Sequence, residues 1–347
     1  MARDKAIEVS PGLESDYLIH GVGLSVGCDH AETGERIREY LGTYSAPGKA
    51  GAGKARIRAE ISFGSVIYPV PLHARRALRY SPLRSYFLEG RTYFTDYFST
   101  LAVEPDGSSF RGNLSPDTLK DYGPVVFANL LFAFTLFEAL RFHGLYFLHA
   151  AALKGPDGIG YLIVGNAGSG KTSLTLSLIN AGFKFLSDDT VFLNLNGEKD
   201  VRVLGFPREF HVATDLINER QSLKHFSELP DFCAVRGRKS LRPDDWFPEQ
   251  KLAELKNPGV ILFPRIREGE TRLEPLIAQD ALTELLPQSP FVMLNPALAS
   301  GHLEALKRTL GQGRAFRLYS GPEMKGSPER AREVVERAGD MARGKAR

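Results

Sequence analysis

Tyr161-Leu162-Ile163-Val164-Gly165-Asn166-Ala167-Gly168-Ser169-Gly170-Lys171-Thr172-Ser173-Leu174 is the stretch whose reading decides the fold. Gly165 to Thr172 spell G-x-x-x-x-G-K-[ST], the pattern of a loop whose backbone N–H groups cradle phosphates. Its context matches the mechanism. Tyr161 to Val164 is a short apolar run that reads as a buried strand, and Lys171 to Asn180 (KTSLTLSLIN) reads as the helix leaving the loop, with Gly182 as its stop. Loop amides and the helix N-terminus would then converge on one anion. Lys171 would add a positive charge at the outer phosphates, and the Thr172 hydroxyl could hold Mg²⁺, with Ser173 following on the first helical turn. A glycine-rich turn with a solvated lysine is the competing reading, and it leaves the strand and helix unexplained.

Working outward, the upstream strand is Leu145 to Leu153 (LYFLHAAAL), joined to Tyr161–Val164 through the turn Gly155-Pro156-Asp157-Gly158. If those four residues form the hairpin loop, Lys154 faces Ile159, and counting back puts His149 opposite Val164, at the mouth of the loop. A histidine beside phosphate is useful chemistry. The bland alternative is a core histidine bonded to backbone, and a register slip of one residue would turn it to the other face. Downstream, Phe183 to Leu186 reads as a strand ending at Ser187-Asp188-Asp189, with only sixteen residues between Lys171 and Asp188. Phosphoryl transfer from Mg-ATP to a hydroxyl needs one carboxylate on the metal and a base for the acceptor's proton. Adjacent strand residues point to opposite faces, so both aspartates can serve only if the chain turns there.

The rest of the chain sets bounds. Its 347 residues suffice for two domains, 43% hydrophobic and 24% charged residues are ordinary for a globular protein, and a net charge of +3 gives no case for nucleic acid. Cys28 and Cys233 match no metal spacing and suit a reducing, cytoplasmic setting. No secretory signal is visible in MARDKAIEVSPG. Val125 to Leu140 is strongly apolar but only sixteen residues long, with Asn129, Thr135 and Glu138 inside it, so it reads as a buried core helix without membrane insertion.

Residues 1–115 have a β-rich texture, with strands around Tyr17 to Val26 and Ala59 to Phe63, a loop at Ala46 to Ala52, and aromatics from Tyr86 to Phe98 that read as a small core. Residues 116–322 begin with a helix from Leu119 to Phe142, broken near Pro124, and carry the glycine loop. Val191 to Leu195 continues as a strand into the turn Asn196-Gly197. Gly259 to Arg265 and Thr271 to Leu276 read as a hairpin about Glu268-Gly269-Glu270. Helices at Asp280 to Leu286 and Leu298 to Leu310 and a strand at Ala315 to Tyr319 follow. Residues 323–347 form a charged tail in which Val334, Val335, Ala338 and Met341 fall at helical spacing.

FLHAAALKG…GYLIVGNAGSGKTSLTLSLINAGFKFLSDDTV resembles the catalytic domain of the HPr kinase/phosphorylase family and its relatives, which share a fold with ATP-dependent phosphoenolpyruvate carboxykinase. The match is good over Leu145 to Val191 and weaker beyond. It implies an α/β P-loop kinase core using ATP and Mg²⁺, joined here to the N-terminal β-rich lobe read from its texture, for which the resemblance offers no match. It implies that Lys171 and Gly165, Asn166, Ala167, Gly168, Ser169, Gly170, Thr172 and Ser173 hold the nucleotide. Thr172 and Asp188 would hold the metal, Asp189 would accept the hydroxyl proton, and His149 would orient or neutralise charge. The implied partner is a protein or peptide serine. The family also implies assemblies, although no interface signal is legible. The family's E-x-R-G-x-G signature is missing. Its nearest counterpart is Val203 to Phe210, where Glu209 is the candidate third metal carboxylate, and this puts phosphorolysis and HPr itself in doubt. Arg236-Gly237-Arg238-Lys239-Ser240-Leu241-Arg242 could cover the nucleotide, or be a solvated charge run. The rival functions are a small-metabolite hydroxyl kinase and a nucleotide-gated binding module.

Overall fold

The computed structural model describes residues 13–53, 55–65, 69–195, 200–206, 208–219, 221–232, 236–324 and 327–344. The expected turn at Asn196-Gly197, the N-terminal twelve residues, Cys233, Lys345 and Arg347 lie outside the described residues. Two compact units divide the chain, 1–143 with 293–297, and 144–292 with 298–347.

The first unit is built on eight strands, β1 (Leu13–Ile19), β2 (Val22–Cys28), β3 (Ala55–Phe63), β4 (Arg75–Tyr80), β5 (Leu83–Leu88), β6 (Arg91–Thr95), β7 (Thr100–Val103) and β8 (Ser109–Leu114), in the order β1-β2-β3-β8-β7-β6-β5-β4. The run expected as one strand from Tyr17 divides at His20-Gly21. Both take positive φ (49° and 87°), the two-residue hairpin geometry. Ser115 caps the following helix by accepting from the Asp117 N–H, and Pro116 occupies its first turn. The break comes at Gly123 (φ 74°, ψ 167°), because the residue before Pro124 is driven out of the helical region. A π-helical turn, Phe127–Phe132, and the helix Ala133–Arg141 complete the segment.

Pro116–Arg141 is long and apolar enough to cross a membrane by length and composition, yet 61% of its most apolar window is buried inside the protein. It packs on β6, β7 and β8. There Glu138 and Arg141, both fully buried, form an ion pair, and Thr92 of β6 donates to Glu138 at 3.2 Å. The division expected at 115/116 therefore falls at 143/144, since this helix finds its apolar and polar partners in the β-rich unit.

The second unit contains β9 (Leu145–Lys154), β10 (Gly160–Val164), β11 (Lys184–Ser187), β12 (Thr190–Asn194), β13 (Arg202–Gly205), β14 (Phe210–Ala213), β15 (Arg238–Leu241), β16 (Leu255–Lys256), β17 (Pro258–Ile266), β18 (Arg272–Leu276) and β19 (Arg314–Ser320). Nine of them form a mixed sheet ordered β16-β13-β12-β9-β10-β17-β19-β18, with β11 also on β9, while β14 and β15 pair as a separate ribbon. β10, β17 and β19 are parallel neighbours. β10 reads as a continuous apolar run because both of its faces are covered. Tyr161 and Ile163 join a cluster with the helices Lys171–Asn180 and Pro328–Ala342, and Leu162 and Val164 join one with the helices Ala278–Leu285 and Pro296–Gln312. The charged tail carries the helix Pro328–Ala342, which contributes Ala331, Val334, Val335 and Ala338 to the core of this unit.

Two expectations about this sheet are corrected. The segments around Glu268-Gly269-Glu270 do not pair with each other. β19 lies between them, parallel to β17 and antiparallel to β18. β17, buried from Val260 to Pro264, belongs inside the sheet, whereas β18, with Pro275, is an edge strand. The β9–β10 register also differs by one residue. Gly160 faces Lys154 and Val164 faces Ala150, because Gly155 to Ile159 all belong to the loop, closed by Gly155 N–H to Ile159 O at 2.9 Å.

Candidate functional site

The loop Gly165–Gly170 leaves β10 and runs into the helix Lys171–Asn180. Gly168 and Gly170 sit at φ +82° and +94°, which L side chains rarely adopt, and a Cβ on Gly165 would come within 2.6 Å of Ser169 Oγ. Gly170 is the N-cap and offers no side chain, so no cap competes for the first-turn N–H groups. Ser169 Oγ is buried without a hydrogen-bond partner.

Lys171 is only 7% exposed, and its ammonium donates to Asp188 O at 2.9 Å and to Asp189 Oδ1 at 3.4 Å. Thr172 Oγ1 donates to Asp188 Oδ2 at 3.1 Å, while Asp188 Oδ1 is buried without a partner. The two aspartates escape strand alternation because the chain turns between β11 and β12. Ser187 Oγ accepts from Thr190 N at 3.3 Å and from Asp189 N at 3.5 Å. The turn aims Asp188 at Thr172 and Asp189 at Lys171.

His149 pairs with Thr190 across β9 and β12, so its own strand carries it to the aspartate turn. Its Nε2 is 2.8 Å from Asp189 Oδ1 and its Nδ1 3.0 Å from Gln288 Oε1. The slipped register shifts its cross-strand partner, yet His149 keeps the face shared with Ala151 and Leu153, the face of the helix Lys171–Asn180. Arg208 NH1 approaches Asp189 Oδ2 at 3.8 Å.

These charges set the acids apart. Burial raises Asp188, against the opposing pull of Lys171. Burial pushes Asp189 up as well, but Lys171, His149 and Arg208 outweigh it and hold that carboxyl well below its ordinary range.

Glu209 is not arranged as a third metal carboxylate. It accepts from Ser240 and pairs with Arg242 at 3.1 Å, a natural consequence of its place beside the β14–β15 ribbon. Among the described residues, no group of three or more His, Cys, Asp or Glu is placed to hold a metal. The basic segment Arg236 to Arg242 contains β15 (Arg238–Leu241), and three of its cations have protein partners. Arg238 donates to His211 O at 3.2 Å, Lys239 pairs with Asp231 at 2.9 Å, and Arg242 takes Glu209. Inside this ribbon His211 stacks on Phe232 at 3.7 Å, and burial, then Arg208, lowers it to about 4. Arg208 and Gln288 were missed as site residues, since neither belongs to a motif.

No protein-family model matches the chain, and no curated protein matches it. Among solved structures, the HPr(Ser) kinase/phosphatase from Coxiella burnetii is similar over 57% of this chain and 99% of that chain, with 12% sequence identity and a TM-score of 0.33. That is a distant structural likeness.

Proposed function

We propose that this protein is an ATP- and Mg²⁺-dependent kinase that moves the γ-phosphoryl group to a hydroxyl, that of a serine on a protein or peptide. The observation that carries this reading is the meeting of Lys171, the Thr172–Asp188 pair and the His149–Asp189 pair at one glycine loop. A loop that only bound nucleotide would have no use for the second carboxylate.

Magnesium fits the residues present. The buried, unpartnered Asp188 Oδ1 and the Thr172 hydroxyl offer oxygens, and Mg²⁺ keeps several waters and takes phosphate oxygens, so two protein ligands suffice. When bound, it would neutralise charge on the phosphate oxygens. The loop amides and Lys171 hold the β- and γ-phosphates. Asp189 takes the proton of the acceptor hydroxyl as the new O–P bond forms and the bond to the β–γ bridging oxygen breaks, releasing ADP. Its depressed basicity suits a role that begins only on binding. Phosphate draws Lys171 away from Asp189 and so raises the affinity of that carboxylate for a proton. Arg208, 3.8 Å from Asp189, adds a second positive charge to that of Lys171. Glu209 is engaged by Ser240 and Arg242 on the ribbon and not turned to the Thr172–Asp188 pair, so the proposal is confined to forward transfer.

Incubation with γ-labelled ATP, candidate peptides and cell extract, followed by mass spectrometry, tests the reading. Label on a serine supports it. Label on a metabolite makes the protein a small-molecule kinase, and label found only as free phosphate overturns transfer in favour of a nucleotide-gated module.

A further inference from the structure

We propose that Gln288 is a positioning residue that ties His149 to the glycine loop, so that the phosphoryl end of the site is completed by a turn far downstream. The inference rests on the kinase reading for its kinetic consequences and on geometry alone for the positioning. Gln288 ends the 3-10 turn Leu286–Gln288 and is 5% exposed. Its Nε2 donates to Asn166 Oδ1, and its Oε1 faces His149 Nδ1 at 3.0 Å. The next residue, buried Ser289, donates through Oγ to Phe147 O at 3.2 Å. The turn is thereby anchored on β9 two residues before His149, so the amide of Gln288 is held in place from behind.

Gln288 gives an N–H to Asn166, so its oxygen must accept one from His149 Nδ1. Asp189 Oδ1 accepts the N–H of Nε2 on the other side. The ring is then fixed at both nitrogens and cannot rotate away from Asp189. If both amides turn over, Asn166 donates to Gln288, Gln288 donates to Nδ1, and the chain fits the neutral ring with its proton on Nε2. In either state the amide orientation of Asn166, the second residue of the loop, follows that of His149. Fixing a ring through its second nitrogen is the usual means of orienting a working histidine.

The test combines a spectrum with kinetics on the full chain. In ¹⁵N-histidine spectra, the His149 ring signals of Gln288→Leu should shift at Nδ1 relative to wild type. The same variant should lower kcat about 10- to 100-fold, the range for lost orienting partners, with KM for ATP within about threefold. Gln288→Leu added to His149→Ala should cost little more than His149→Ala alone. Gln288→Glu should restore most of kcat, since a carboxylate accepts from His149 and from a turned Asn166. Unchanged His149 signals in Gln288→Leu, or full additivity with His149→Ala, would overturn the assignment. If wild-type protein neither binds nor turns over ATP, the kinase reading fails, and the spectrum alone decides the role of Gln288.

Discussion

Asp189→Asn should move binding and chemistry in opposite directions. Lys171 divides its ammonium between Asp188 O and Asp189 Oδ1. Phosphate must compete with the second of these. At 3.4 Å and an effective dielectric constant of about 20, the Lys171–Asp189 attraction is about 5 kcal/mol. The Asp189 side chain is 45% exposed, and an asparagine amide replaces part of what is lost. Solvent screening of that degree leaves on the order of 1 kcal/mol. Removing the carboxylate charge therefore frees Lys171, and with it His149 and Arg208, for phosphate. Affinity for ATP should rise about fivefold. Transfer should fall about 10²- to 10⁴-fold, the usual contribution of a positioned base. Calorimetric titration with a non-hydrolysable ATP analogue reads the first effect, and single-turnover transfer of the γ-phosphoryl reads the second. Transfer within twofold of wild type would refute the base assignment. Weakened binding would refute the competition for Lys171.

Asp188→Asn removes the carboxylate charge that accepts from the Thr172 hydroxyl, and the Mg²⁺ concentration for half-maximal transfer should rise about tenfold or more, since metal affinity rests on a deprotonated carboxylate. An unchanged metal titration would move the ion elsewhere. His211 is lowered to about 4, so between pH 6.5 and about 4 the unfolded chain binds a proton that the folded chain refuses. Stability should fall as pH drops through that window, by at most about 3 kcal/mol, and His211→Gln should flatten the loss in urea melts at pH 7 and 4.5. In the β-rich unit, Arg141→Met leaves Glu138 buried and unpaired, which should cost about 3–5 kcal/mol. The double change Glu138→Leu with Arg141→Met should recover most of it, and denaturant melts showing equal loss in both would contradict this.

What was legible in the chain follows the range of the interaction that determines it. From Leu145 to Asn194 each element announces itself locally. The apolar runs, the turn at Gly155, the glycines of the loop and the stop at Gly182 place strand, loop, helix and strand in order. The helix Lys171–Asn180 ends where expected because Gly182 takes φ +91°. Register is harder, since whether Ile159 belongs to the loop or the strand depends on one backbone hydrogen bond. His149 still reached Asp189, because its facing is set by alternation along its own strand and its depth by pairing with Thr190. Glu209 was proposed from nearness in sequence to a missing motif, and the ribbon partners Ser240 and Arg242 could not be read from that. β17 and β18 looked like a hairpin because the turn between them is local, whereas the strand that separates them arrives from residues 314–320 through a crossover. Gln288 is the extreme case. It lies 122 residues from Asn166 and 139 from His149, with Pro287 and Pro290 marking only that a turn is present. Its place in the site is decided by Ser289 on the Phe147 carbonyl, a contact with no periodicity or spacing to betray it. A site assembled from motif residues alone would omit Gln288, whose amide reaches both His149 Nδ1 and Asn166 Oδ1.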